Sequence, residues 1–435
     1  MKKLSKVRFE HWKNNIDPKV LFGFGGIICF VILGIVLLLS HGNLWSSIFW
    51  HDQCDTGMDF FHSIEYVRGR TPYLKYDTLY PPLANLFFLF VYYFIPREIS
   101  QTWADTFELS VEQRCTRYDL RLYQSCMMMF VFLVVITTLL LVLLIKNILK
   151  RCEEWKVNLV TIAAVCSYGI LYSFERGNII VLVMILLLFY INNYDSEKKY
   201  LKELALIALA ISSGLKLYPA FLGILLLRKR DIQGAIKCII YGIIAVFMPF
   251  VFFKEGIEGL FIWLKVIAKF GSDGTAVYIG NSAVNILHRV SNMVCRLFKV
   301  EFSSEIIMIL SLLIILIFLL LAYMQKEEWK SILLLTLSII LFQNQGDYIF
   351  SLLLLPLIIF FASENKLKKS NFVPIMVIMF LTWPLPIFSS FYGVNLRNIW
   401  SQIGLSVLGI WSIQDFVYSK NFFHDSKRMS STDIF

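Results

Sequence analysis

Apolar runs of roughly 17 to 24 residues recur along this chain, each close to the ~20 residues that a helix needs to cross a bilayer. They fall near residues 20–40, 122–145, 305–324, 372–388 and 398–418, with shorter ones at 331–343 and 349–362. Hydrophobic residues make up 57% of the 435 positions, which excludes a water-soluble domain and leaves lipid as the main solvent. The alternating ten-residue text of a barrel strand is absent, so the expected fold class is an all-α polytopic membrane protein. Aromatic residues, at 16%, suit interfacial anchoring near the ends of spans.

The formal net charge of +10 is spread in short Lys/Arg clusters between apolar runs. That distribution reads as membrane topology and not as a nucleic-acid stripe, so no nucleic-acid partner is expected. Lys2, Lys3, Lys6, Arg8, Lys13 and Lys19 put the N-terminus in the cytoplasm, and the run at 20–40 reads as a retained anchor without a cleavage site. Residues 41–121 then form a first outer loop. Its apolar piece 81–96 is bounded by prolines and expected to be re-entrant or interfacial, since a full crossing would put the basic stretch 146–156 outside. With that choice the remaining basic turns fall inside: Lys198 to Lys202, Arg228 to Lys237, Lys326 and Lys330, Lys366 to Lys369, and a cytoplasmic C-terminal tail. Between Lys202 and Arg228 there is too little chain for two crossings, so two half-helices should meet at residues 216–219. A second outer loop is expected at 254–304. The whole is one transmembrane domain over 1–435, a bundle of about ten to twelve helices with re-entrant segments in the plasma membrane.

With this topology the polar motifs gather on the outer side. They are GMDFFHSIEYVRGRTPY from Gly57, LYPP from Leu79, FERGN from Phe174, GLKLYP from Gly214, YIGNSAVNILHR from Tyr278 and QNQGDY from Gln343. Ionisable groups at membrane depth are costly, so their convergence needs a reason. Asp59, flanked by Met58, Phe60 and Phe61, is the candidate general base, with an apolar setting expected to raise its pKa. Asp52 and Asp55 are its rivals, and an N-cap role is the plainer reading of Asp59. Arg176, Lys216, His288 and Arg289 could neutralise a departing phosphate, with Arg289 the strongest. For Arg176, a local ion pair with Glu175 is the simpler account. The cysteines show no metal or redox spacing. Cys54, Cys115 and Cys295 fall in the outer loops, and no metal site is expected from the Asp cluster.

An Asp after the first span followed by G-x-x-PY and YPP (Asp59, Gly69, Pro72, Tyr73, Tyr80, Pro81, Pro82) resembles the first outer loop of glycosyltransferase family 87 and its type C relatives. Gly177 and Asn178, then Lys216, Tyr218 and Pro219, then Gly280, Asn281, Ser282 and Arg289 follow in the family's order, so the likeness spans about 55–290. The asparagine motif reads GNSAVN here where the family commonly has GNQS. The resemblance implies an inverting transferase that takes a sugar, typically mannose or another hexose, from a polyprenyl-phosphate carrier to a lipid or glycan acceptor in cell-envelope glycan synthesis. It maps the catalytic base to Asp59; beside it Arg289, His288, Lys216 and Arg176 are expected to bind the donor phosphate, and Tyr73, Tyr80, Asn178, Tyr218 and Asn281 to contact substrate. No cofactor is implied, since a single phosphate leaves. A lipid-linked-sugar flippase or a polysaccharide polymerase or ligase are the competing readings of the same outer cavity.

Overall fold

The computed structural model describes residues 17–49, 56–95, 119–272, 280–299, 302–342, 345–363, 367–387 and 396–432. No strand occurs among them, and the all-α expectation holds. The first part of the chain forms α1 (Pro18–Leu39), α2 (Met58–Arg68), α3 (Pro72–Tyr76), α4 (Pro82–Tyr92) and α5 (Gln124–Ile148). Next come α6 (Glu154–Val165), α7 (Tyr168–Arg176), α8 (Ile180–Asn193), α9 (Lys199–Leu215), α10 (Ile224–Arg228) and α11 (Ile232–Phe247). The last part contains α12 (Gly256–Ser272), α13 (Ala283–Phe298), α14 (Ser304–Met324), α15 (Glu328–Phe342), α16 (Leu354–Ser363), α17 (Phe372–Thr382) and α18 (Leu396–Thr432).

Among the described residues four helices are long and apolar enough to cross a membrane: α1, α5, α14, and α11 with the 3-10 turn that continues it to Phe252. The pair α6 and α7, bent by 44°, makes a fifth if counted as one broken span. The ten to twelve crossings expected from hydropathy would also require shorter apolar helices, such as Ile180–Asn193 and Phe372–Thr382, which length alone does not count. The four long helices bury only 17–28% of their apolar windows and turn the rest outward, as lipid-facing helices do. By contrast α8 and α15 are apolar on nearly every side because they are packed on nearly every side. A helix the length of α8 rises only about 21 Å at 1.5 Å per residue, less than the ~30 Å hydrocarbon core. Such a helix has the composition of a span without its length.

Small residues let the helices approach. The Cβ that Gly26 lacks would lie 2.9 Å from the Ala163 Cβ, and that of Gly23 2.2 Å from Leu159, so α1 lies directly against α6. The break expected at 216–219 is present. After α9 ends at Leu215, Lys216 is extended (φ −147°, ψ 127°), and a 3-10 turn Tyr218–Gly223 leads into α10. The piece at 81–96 is the eleven-residue α4, too short to cross alone. The segment read as a second outer loop is largely helical, as α12 and α13, with Trp263 and Phe250 closing over Tyr73.

The basic turns meet at one end of the bundle. Lys156 pairs with Asp17 (3.0 Å), Lys202 with Asp231 (2.8 Å), Lys237 with Glu203 (2.7 Å) and Lys330 with Asp415 (2.9 Å). Arg228 donates from Nε to the Gln325 carbonyl (2.8 Å), tying α10 to the end of α14. The polar motifs occupy the opposite ends of these helices: the end of α7, the start of α8 and the end of α9.

Candidate active site

Two close backbone approaches build the site. Gly57, at φ +76°, opens α2 as its N-cap, and its amide donates to the Glu175 carbonyl (2.7 Å). Gly177, at φ +68°, closes α7 in the left-handed region that suits glycine. A Cβ on Gly177 would sit 2.8 Å from the Phe60 Cβ and 3.0 Å from the Gly57 carbonyl oxygen. The GMD and ERGN motifs therefore dock backbone to backbone, and this places Asp59 beside Arg176 and Asn178.

The resulting contacts are direct. Arg176 Nη2 donates to Asp59 Oδ1 (2.7 Å), and Asn178 Nδ2 donates to Asp59 Oδ2 (2.7 Å) and to the Tyr80 hydroxyl (3.3 Å). The Asp59 side chain keeps 19% of its surface accessible, so it lines a space and is not sealed in the core. Lys216 completes the group, its ammonium 4.4 Å from the Tyr80 ring centroid and 5.6 Å from that of Tyr348. The plainer readings made from sequence are not what the structure shows. Arg176 reaches across to Asp59, while Glu175 accepts instead from the Thr56 hydroxyl (2.8 Å), and the N-cap of α2 is Gly57, not Asp59.

The other expected residues divide. Tyr73 is fully buried, its hydroxyl donating to the Tyr80 carbonyl (3.2 Å) and accepting from Asn85 Nδ2 (3.0 Å), so it holds the strand of chain that carries Tyr80. Glu255 caps α3 beneath it, accepting from the Leu74 amide (2.6 Å) and the Tyr73 amide (3.2 Å). Burial pushes the Glu255 carboxyl above its ordinary range, against the pull of those amides. Tyr218 is buried at the start of the turn after Lys216. His288 and Arg289 are half-buried along α13, roughly two helical turns past its Ser282 cap, about 10 Å by helix rise. Among the described residues no hydrogen bond or ion pair joins either of them to Asp59. Asp52, Asp55, Cys54, Cys115 and Tyr278 lie outside the described residues.

Asn281 belongs to a second polar group. Its Nδ2 donates to Asp347 Oδ1 (3.0 Å) and its Oδ1 accepts from the Ser401 hydroxyl (2.6 Å). The Tyr168 hydroxyl lies 3.3 Å from Asp347 Oδ2, and Gln402 Nε2 donates to the Gly280 carbonyl (2.8 Å). Tyr172 links the two groups, with its ring 5.7 Å from Tyr168 and 6.3 Å from Tyr348. Tyr168, Tyr172 and Ser401 carry no motif, and only QNQGDY had drawn notice to this place. On the other side of Asp59, its neighbour Phe60 lines an apolar groove of about 530 Å³, walled also by Phe87, Phe90 and Phe94 after α2 and by Met128, Met129 and Phe132 of α5.

A carboxylate engaged by an arginine and an asparagine, a lysine held over two tyrosines and an apolar groove alongside form a frame for chemistry on a polar group carried by a lipid. The model of glycosyltransferase family 87 matches residues 79–356, well over half of the chain. The chain belongs to glycosyltransferase family 87. No curated protein matches it. The family 87 segment includes Tyr80, Arg176, Asn178, Lys216, Asn281 and Asp347, while Asp59 precedes it and Arg397 follows it. As a member of this family the protein is a membrane glycosyltransferase.

Proposed function

We propose that the protein transfers a hexose, with mannose the first candidate, from a polyprenyl-phosphate donor to a lipid or glycan acceptor, with inversion at the anomeric carbon. The observation that carries this reading is the convergence on the Asp59 carboxylate of Arg176 and Asn178, both within the family-matched segment, at an accessible site. In the step itself the acceptor hydroxyl gives its proton to Asp59 while its oxygen bonds to the anomeric carbon. The bond from that carbon to the phosphate oxygen breaks, and its electron pair leaves with the lipid phosphate. Arg176 and Asn178 each occupy one direction on a carboxylate oxygen and so fix the plane of the base, leaving lone pairs for the proton. Lys216 supplies positive charge beside the leaving phosphate. The groove beside Phe60 suits the first isoprene units of the carrier, since its walls are aromatic and sulfur-containing side chains. No metal is required, because the departing group is a single phosphate that cationic side chains can neutralise.

The basic turns at the far end support an outward-facing site in the plasma membrane with both termini in the cytoplasm. The deciding experiment incubates the purified protein in lipid with a radiolabelled polyprenyl-phosphate hexose and membrane extract as acceptor source. Label in a new glycolipid or glycan is expected from the wild type and not from Asp59→Asn. Movement of labelled donor between leaflets without a new glycosidic bond would favour a flippase, and label appearing only from a diphosphate-linked oligosaccharide would favour a polymerase or ligase.

A further inference from the structure

Arg397, at the start of α18, is only 2% exposed, yet its Nε and Nη1 have no hydrogen-bond partner. Its guanidinium carbon lies 3.3 Å from the centroid of the Tyr168 ring, which fixes the plane of the fork without satisfying any N–H. Asp347 is the ion-pair partner of Arg397, with Oδ2 3.8 Å from Nε, but that is beyond hydrogen-bond reach, and Asp347 already has Asn281 and Tyr168 as hydrogen-bond partners. Asn281 is held in turn by Ser401, one turn along the same helix from Arg397. The frame around the guanidinium is complete and the guanidinium itself is not. A buried cation lacking acceptors is costly, and a planar fork of donors matches the oxygens of a phosphoryl group.

We propose that Arg397 binds the phosphoryl group of the lipid carrier. This rests on the transferase reading above and extends it to a residue beyond the segment matched by the family. The geometry joins Arg397 to the Asp59 group through a floor of tyrosines. Arg397 stacks on Tyr168, Tyr168 neighbours Tyr172, Tyr172 neighbours Tyr348, and Lys216 stands over Tyr348. The tyrosines thus connect a planar fork at one end of the row to an ammonium at the other. Among the described residues no hydrogen bond or ion pair frames Arg289 in this way.

The test uses the full-length protein in nanodiscs of uncharged lipid. Three probes are compared: a sugar-free polyprenyl phosphate, the neutral polyprenol of the same length, and inorganic phosphate. The wild type should bind the polyprenyl phosphate in preference to the polyprenol. Arg397→Gln should bind the phosphate form at least tenfold more weakly with polyprenol binding unchanged. Unchanged phosphate binding by a folded Arg397→Gln overturns the inference and leaves the transferase reading standing. If Arg397→Gln does not fold, Arg397→Lys, which keeps the charge and loses the fork, is read instead: weakening by several fold supports the site, and full affinity overturns it. A wild type that prefers polyprenyl phosphate no more than polyprenol sinks both readings. Binding of inorganic phosphate without the lipid form would overturn the carrier as its source.

Discussion

At the residue scale, Asp59 and its two amide and guanidinium partners act as one unit, so their variants should not add. Asp59→Asn is expected to lower turnover by about a thousandfold or more, at the upper part of the range for a general base, with the melting temperature close to wild type. Asn178→Ala leaves the base in place but frees its plane, and should lower kcat by roughly tenfold to a hundredfold with little change in KM. The double variant should be scarcely slower than Asp59→Asn alone, because the partner has nothing left to orient. Multiplying effects would mean that Asn178 acts elsewhere. These residues were legible in sequence because each is polar text inside apolar text: Asp59 beside two phenylalanines, Asn178 opening an apolar helix, Lys216 inside a break. Arg397 was not legible. A lone cation ahead of an apolar run reads as a snorkelling anchor, and only its burial against Tyr168 shows otherwise. Arg289 stood out in sequence because its motif opens with Gly280 and Asn281, and the structure places it on α13, about two turns past Ser282.

At the element scale, the site depends on two backbones touching where α2 starts and α7 ends. Gly177→Ala forces a side chain into a positive φ and against Phe60 and Gly57 together. The left-handed backbone alone costs about 1–2 kcal/mol, and the contact adds to it. The variant should melt lower and also lose turnover, because the readiest relief is to separate α2 from α7 and with it Asp59 from Arg176. A variant with normal turnover at reduced stability would show that the spacing of the two helices is not what positions the base. Gly169 tests the neighbouring contact: its missing Cβ would lie 2.3 Å from the Ser351 amide, so Gly169→Ala should push α7 off the 3-10 turn that carries Asp347 and Tyr348. Such contacts leave only a glycine in the sequence. The break at Lys216 was readable because charge flanks it on both sides with too little chain between. The number of crossings was not, because the buried α8 and α15 and the outward-facing α1 and α5 are alike in being apolar.

At the scale of the whole molecule, the ends of the helices sort by chemistry. The opening turns of α6, α9, α11 and α15 carry lysines paired with acids of other elements, among them Asp17 at the start of α1. The far ends of α7 and α9 and the start of α8 carry the site. Cytoplasmic turns retain Lys and Arg, so the lysine-bearing end should face the cytoplasm and Asp59 the exterior. Lys75, exposed on α3, and Lys198, exposed before α9, report the two ends. In a background without Cys54, Cys115 and Cys295, a cysteine in place of Lys75 should react with a membrane-impermeant maleimide in intact cells. One in place of Lys198 should react only after permeabilisation. Reaction of the Lys198 position in intact cells would reverse the molecule and place the carboxylate on the cytoplasmic side. In that case the acceptor would have to be a cytoplasmic group, and a carrier lipid loaded inside the cell could be used without first crossing the membrane.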